Sequence, residues 1–312
     1  MLDYTEFSPN GINLDNLLRL ASDGARVSER RVCEISELVD SAVRFARDLS
    51  GNGAGAYEIL TLLRDGFSAI STGGEGELAL GIAYPLHLRA SDRAEVSRLL
   101  TERLSRAGIP VSLSELFAEE IGEPSFTYVK NALADEAYDV FTQDISSSRV
   151  VYSDSFKSAA EAVASGELTY CLLPLEERGG SRIGPVAELI YRKDLKINSV
   201  TPVFGFEGSA DMKYALLSSS FAVPRVYPDD DVYLEIRLSG ESGELTELLT
   251  AAGYLGISPY KICTEFYDTE GETERLYSVV FRKTGGDFGD IAVYLTLFCD
   301  SAVAVGMYKN LE

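Results

Sequence analysis

Residues 150–173 read VVYSDSFKSAAEAVASGELTYCLL and decide the fold of the middle of the chain. Val150 and Val151 suit an extended segment, residues 158–165 carry apolar side chains at helical spacing, and residues 170–173 are extended again. The same alternation of strand and helix continues over residues 126–203. It predicts a sheet of parallel strands with helices packed on it, which is an α/β fold.

In such sheets, ligands bind at the carboxyl ends of the strands. Five residues follow the ends of the first three predicted strands, and they are the candidates for a ligand-binding cleft. These residues are Lys130, Asn131, Ser155, Glu177 and Arg178. A structural interpretation stays open for three of them, because Lys130 and Asn131 fit a strand end and a helix N-cap, and Arg178 fits a loop ion pair.

The C-terminal residues 229–312 predict a second sheet. Strands over 232–238, 258–266, 274–282 and 302–309, with helices over 243–252 and 288–299, give the order βαββαβ. This order is typical of a ferredoxin-like α+β fold. The preceding segment, 224–231, carries proline and three consecutive aspartates, which favours an exposed linker.

The first 123 residues are organised differently. Residues 1–72 predict a helical region, and residues 73–123 predict a βαβ-like segment, with strands over 78–88 and 109–111 around a helix. His87 is the only histidine and is interpreted as structural. The predicted domains are therefore 1–72, 73–123, 124–223 and 229–312.

Composition and charge exclude several classes of function. The 28 Lys and Arg against 49 Asp and Glu leave a net charge of −21, which repels nucleic acid. The acidic N-terminus and the lack of an apolar run of about 18 residues predict a cytoplasmic protein that does not enter a membrane. The four widely spaced cysteines and the single histidine predict neither a metal site nor a cofactor.

Two stretches resemble a known family. Residues 155–163, followed by 172–176 and 186–189, are similar to the first lobe of prephenate dehydratases, which carries an SF-x5-AV helix and a P-I-E-N-S strand end. Residues 243–245 and 305–308 resemble the regulatory ACT domain of the same enzymes. The resemblance covers residues 124–312 and implies half of a periplasmic-binding-like fold followed by an ACT domain.

The resemblance also implies where the catalytic parts should lie. Members of the family hold prephenate between two lobes, and a T-R-F motif supplies a threonine hydroxyl. The matching positions here are Met212, Lys213 and Tyr214, and a thioether cannot donate a proton. Residues 201–211 are too short for a second lobe, since even one βαβ unit needs on the order of 30 residues.

The ACT resemblance implies a site for phenylalanine between a G-A-L-V loop and an E-S-R-P motif. Here the two motifs read GELT at 243–246 and CTEF at 263–266, so that Glu265 reverses the charge of an arginine. The candidate ligand-binding residues of this domain are Gly243, Glu244, Leu245, Thr264 and Glu265. Amides near Gly243 can hold a carboxylate.

These features lead to three hypotheses. The first is a non-catalytic relative of prephenate dehydratases that binds an amino acid or a partner protein through the ACT-like domain. The second is an active dehydratase in which residues 78–111 complete the cleft, and the third is an assembly role. We expect a homodimer formed through the ACT-like domain, because the terminal strand 302–309 has few charges and looks like an open edge.

Overall fold

A computed structural model of the chain describes residues 14–72, 88–143, 145, 149–205, 211–225, 231–240, 242–269, 272–283 and 286–311. The helices are α1 (Leu14–Gly51), α2 (Ala56–Thr72), α3 (Ala90–Arg106), α4 (Leu113–Phe117), α5 (Ala132–Phe141), α6 (Phe156–Ala164), α7 (Gly184–Arg192), α8 (Ser242–Tyr254) and α9 (Phe288–Phe298). The strands are β1 (Ser125–Tyr128), β2 (Arg149–Tyr152), β3 (Tyr170–Glu177), β4 (Lys196–Val203), β5 (Met212–Ser218), β6 (Val232–Ser239), β7 (Ser258–Thr269), β8 (Glu272–Arg282) and β9 (Val303–Asn310). Among the helices described here, none is long and apolar enough to cross a membrane.

The middle of the chain forms an α/β lobe with the strand order β2-β1-β3-β5-β4. Strand β1 is parallel to β2 and β3, as the alternating pattern predicts, whereas β5 is antiparallel to both β3 and β4. Alternate residues of β3 face opposite ways, so Leu173 packs with α6 and α7 while Leu172 packs with α5. Strand β5 is not predicted by the sequence patterns.

The C-terminal strands lie in the order β9-β6-β8-β7, which is the ferredoxin-like arrangement that the βαββαβ pattern predicts. Helices α8 and α9 cover one face of this sheet, where Leu248 and Ile291 pack with Ile236 and Phe281. The other face carries Val280, which packs into the core of the lobe. The C-terminal sheet is therefore covered on one side by helices and on the other partly by the lobe.

Strand β9 joins the two sheets, which corrects the expectation that it is an open edge. It pairs with β6 on one side and, in parallel, with β4 on the other, through Ser199 opposite Lys309 and Val200 opposite Asn310. The apolar run of β9 fits this place because Tyr308 belongs to the core of the lobe and Met307 to the core under the helices. Among the described residues, one nine-stranded sheet results, with β2 and β7 at its edges.

The N-terminal helices pack on α8 and α9. Helix α3 contacts α1, α8 and α9, so the described part of the segment 73–123 lies on the helical face of the C-terminal sheet. Residues 109–111 are not a strand. They form the connection between α3 and α4, where Ile109 and Val111 are buried in the helical core. The predicted strand at 109–111 is thus wrong, and residues 78–87 of the other predicted strand, with His87, lie outside the described residues.

Candidate functional site

The loop that follows β3 turns back onto the end of its own strand. Gly179 and Gly180 have φ angles of +99° and +83°, which residues with a Cβ rarely adopt. The turn is closed by the Glu177 amide, which donates to the Ser181 carbonyl at 3.0 Å, and by the Gly180 amide, which donates to the Glu177 carbonyl at 2.9 Å. This turn places the side chain of Arg182 beneath the end of β3.

Arg182 forms a buried ion pair with Glu235 of β6. Ser278 donates a hydrogen bond of 2.7 Å to Glu235 Oε1, and the Tyr308 hydroxyl donates one of 3.1 Å to Oε2. Burial alone would raise the pKa of Glu235, but the charge of Arg182 and the hydrogen bonds to the carboxylate outweigh it and hold that pKa below its ordinary value. Glu235 is therefore a carboxylate at neutral pH, and it ties the lobe to the C-terminal sheet.

A second carboxylate, that of Glu176, lies between three cations. Lys261 Nζ of β7 donates to Glu176 Oε1 at 2.7 Å and also to the Gly180 carbonyl. Arg182 Nε lies 3.5 Å from Glu176 Oε1, and Lys213 Nζ of β5 lies 3.8 Å from Oε2. We call these five side chains the junction network. Its members are Glu176, Arg182, Lys213, Glu235 and Lys261.

A cleft of about 620 Å³ opens beside the junction network. Its walls are the end of β3 with the following loop, the end of β4, the start of β5, and β7 from the C-terminal sheet. Its lining residues are Glu176, Glu177, Arg178, Gly179, Gly180, Pro202, Val203, Phe204, Asp211, Met212, Lys213, Tyr260 and Lys261. The cleft therefore has one wall from the lobe and one from the C-terminal sheet, and both ionic and apolar side chains line it.

Two of the five residues predicted for the lobe line this cleft. Glu177 is exposed at the rim, and Arg178 Nε lies 3.4 Å from Asp211 Oδ2 with 82% of the arginine side chain exposed. Lys130 is not among the lining residues, and its Nζ lies over the ring of Tyr152, 4.6 Å from the centroid. The structure thus places Glu177 and Arg178 at the cleft, whereas the Lys130 side chain lies outside it, against Tyr152.

The remaining two predicted residues of the lobe cap helices. Asn131 Oδ1 accepts a hydrogen bond from the Ala134 amide at 3.0 Å at the start of α5, and Ser155 Oγ accepts one from the Ser158 amide at 3.1 Å at the start of α6. These bonds satisfy amides that a helix leaves unpaired at its N-terminus. The Asn131 side chain therefore acts as a helix N-cap, as the structural interpretation of the sequence predicts.

Of the predicted residues near the start of α8, Glu244 and Leu245 contact other parts of the C-terminal region. Gly243 is exposed in the first turn, and Leu245 packs against the core under the helices. The Glu244 carboxylate accepts hydrogen bonds from the hydroxyls of Ser239 and Ser301. This part of the helix end therefore already carries a negative charge from the chain itself.

The two predicted residues of β7 lie on opposite faces of that strand. Thr264 is exposed, opposite Tyr277 of β8, whereas Glu265 is half-buried and accepts a hydrogen bond from the Tyr267 hydroxyl. Burial and the bond to Glu265 raise the pKa of the Tyr267 phenol. The Glu265 carboxylate is thus engaged within its own strand.

Most of the junction network was missed by sequence reasoning. Its members come from strands and a loop far apart in the chain, and only pairing of the strands brings them together. One signal was present, because Glu235 and Arg237 interrupt an apolar strand at residues 232–239. Charged residues inside a buried strand need partners, and such a position points to an ionic contact. Within the part of the chain that the structure describes, no group of acidic, cysteine or histidine side chains could hold a metal ion.

No model of a protein family matches the chain, and no curated protein matches its sequence. Among solved structures, the chain is similar to prephenate dehydratase from Streptococcus mutans, with 12% identity and a TM-score of 0.49 over 61% of this chain and all of that one. Prephenate dehydratase from Arthrobacter aurescens, in complex with L-Phe, has 12% identity and a TM-score of 0.42 over 59% of this chain and 89% of that one. GqqA, described as a novel type of quorum-quenching acylase, has 18% identity and a TM-score of 0.43 over 60% of this chain and 96% of that one.

Proposed function

We propose that this chain is a non-catalytic relative of prephenate dehydratases that binds a small ligand such as an amino acid. The observation that carries the proposal is the direct connection of β4 to β5. The two strands are neighbours in the sheet, Val203 is paired with Met212, and only residues 204–211 join them. A second lobe inserted at this point would need far more chain.

The chemistry at the matching motif supports the same conclusion. Met212 begins β5 and lines the cleft, and its thioether has no proton to give to a leaving hydroxyl. The neighbouring Lys213 faces the carboxylate of Glu176. The groups at this end of the cleft can therefore hold an anion by charge, but Met212 cannot supply a general acid.

The proposal includes a homodimer formed through the C-terminal sheet. Within the described part of the chain, strand β7 pairs only with β8, which makes it a sheet edge of twelve residues. Ile262 and Phe266 are large apolar side chains on this strand with 44% and 65% of their surface exposed. A long edge with apolar side chains is a surface that soluble proteins usually cover, and a second copy of β7 would cover it.

The binding part of the proposal is tested by thermal unfolding in the presence of each of the twenty amino acids. A ligand at a hundred times its dissociation constant stabilises the fold by about 2.7 kcal/mol, which gives a measurable rise in melting temperature. We expect a rise with at least one amino acid. A panel with no response would contradict amino-acid binding.

A further inference from the structure

We infer that the cleft between β7 and the loop after β3 is a binding site for a small carboxylate with an apolar body. The carboxylate lies at Lys213 and Lys261, and the apolar body lies against Phe204 and Tyr260. This inference rests on the proposed binding function and gives it a location and a ligand class. The location differs from the ACT-like residues near Gly243, because one wall of the cleft belongs to the lobe.

The charges of the junction network favour an anion. The network holds three cations and two carboxylates, although the whole chain carries −21. Both oxygens of Glu235 are already bonded, by Arg182, Tyr308 and Ser278. The excess positive charge is therefore left at the Glu176 end of the network, where the cleft opens. A cation in a partly desolvated place is stabilised by a nearby anion.

The two lysines can reach a ligand. Their side chains are 31% exposed for Lys213 and 22% exposed for Lys261. The 3.8 Å between Lys213 Nζ and Glu176 Oε2 is too long for a good hydrogen bond, so this ammonium group keeps donors for another acceptor. Lys261 uses two of its three protons on Glu176 and Gly180, and the third remains.

The rest of the lining suits an apolar body. Phe204 and Tyr260 are 67% and 57% exposed, and both line the cleft, so their rings are open to a ligand there. Pro202, Val203 and Met212 add apolar surface between them. A volume of about 620 Å³ is in the usual range for small-molecule sites.

The carboxylates of Glu177 and Asp211 line the rim of the cleft and repel a bound anion. Removing one of these charges therefore tests the inferred ligand class. Asp211 is paired with Arg178 at 3.4 Å, and Glu177 is exposed, so salt and water screen much of their charge. Removing the charge of Asp211 also releases Arg178 for the ligand. We therefore expect Asp211→Asn to tighten the binding of a carboxylate by a few fold.

The experiment is calorimetric titration of the full chain with phenylacetate, and with 2-phenylethylamine as a probe of similar shape and opposite charge. We expect phenylacetate to bind and the amine not to bind. Lys213→Gln should weaken phenylacetate at least about tenfold, because hydrogen bonds to charged groups are worth about 1.5 kcal/mol or more. The matched control is Lys193→Gln, since Lys193 is 32% exposed and paired with Glu161 at 3.2 Å outside the cleft.

The outcomes separate the site from the proposed function. Weaker binding in Lys213→Gln, tighter binding in Asp211→Asn and unchanged binding in Lys193→Gln support the site. Phenylacetate binding that neither cleft variant changes overturns the site and leaves a binding function standing elsewhere. Absence of phenylacetate binding, or equal binding of the amine, overturns the ligand class. If Lys213→Gln fails to fold, Asp211→Asn, at a half-buried position on the rim, still decides the result.

Discussion

Arg182, in the loop after β3, and Glu235, in the middle of β6, form an ion pair whose side chains are 8% and 4% exposed. The arginine comes from the lobe and the glutamate from the C-terminal sheet. A pair this deeply buried holds its two elements together, because neither charge can be left without the other at low cost. The lobe and the C-terminal sheet are therefore joined by ionic contacts as well as by the pairing of β4 with β9.

Removing one partner of this pair should be costly. We expect Glu235→Ala to lower the free energy of unfolding by about 3–5 kcal/mol, because Arg182 stays buried without its main counter-charge. Urea denaturation measures the change. The control is Arg178→Ala, which breaks an exposed pair with Asp211 and should cost about 1 kcal/mol or less. Equal losses in both variants would contradict the buried role of Glu235.

The same carboxylate should contribute to acid sensitivity. The pKa of Glu235 in the folded protein is below the ordinary 4.5, so its stabilisation is complete above that pH and is lost as pH falls through the lower folded value. The difference in unfolding free energy between the native chain and Glu235→Gln should therefore be largest at neutral pH and shrink in acid. A difference that stays constant down to strongly acidic pH would refute the assignment.

Gly306 lies where β9 approaches β4 closely. A Cβ at this position would lie 2.2 Å from the carbonyl oxygen of Ile197, which is backbone and cannot rotate away. Gly306→Ala should destabilise the fold by about 1–3 kcal/mol, as overpacking does. Gly122→Ala serves as the control, because a Cβ there meets nothing within 4 Å. Thermal melting of both variants measures the effect, and similar melting temperatures would argue against the joined sheet.

One register of a β7 pair, the antiparallel one centred on Cys263, can be tested by forming a disulfide. In this register, the two Cys263 residues face each other, and the exposed Ile262 lies opposite the partner's Thr264. We expect light scattering to give about twice 34.0 kDa, and mild oxidation to link the two copies through Cys263. The link should be absent in Cys263→Ser and present in Cys33→Ser, whose cysteine is exposed elsewhere.

A surface variant separates this interface from other contacts. Phe266→Lys should return the protein to a monomer, because it places a charge on the paired edge. Phe204→Lys is the matched control, since the two side chains are 65% and 67% exposed and only Phe266 is on β7. A native mass near 34.0 kDa, or loss of the dimer in both variants, would contradict pairing through β7.

Much of the fold could be predicted from local patterns. Except for β5, the strands and helices of the lobe and of the C-terminal sheet lie close to the positions that periodicity indicates, because each amphipathic segment is specified by its own residues. The role of β9 could not be predicted in this way. Its partner β4 is about a hundred residues away, and pairing between distant strands leaves only a weak trace, here an apolar run that suits burial on both faces.

The candidate site was predicted less well for a similar reason. Strand ends point to ligand positions, and this rule found Glu177 and Arg178, but it gave equal weight to Asn131 and Ser155, which cap helices. Lys261 could not be found by the rule, because it comes from the other domain. Its place in the cleft depends on how β7 lies against the loop after β3.

We propose that this chain does not catalyse the dehydratase reaction and that its cleft binds a ligand without converting it. The most direct test is phenylpyruvate formation from prephenate at neutral pH, measured at several protein concentrations against the spontaneous background. We predict no rate above that background at any concentration, since Met212 offers no proton and only residues 204–211 join β4 to β5. A rate that rises in proportion to protein concentration and disappears in Arg178→Ala would show instead that the chain is an active dehydratase.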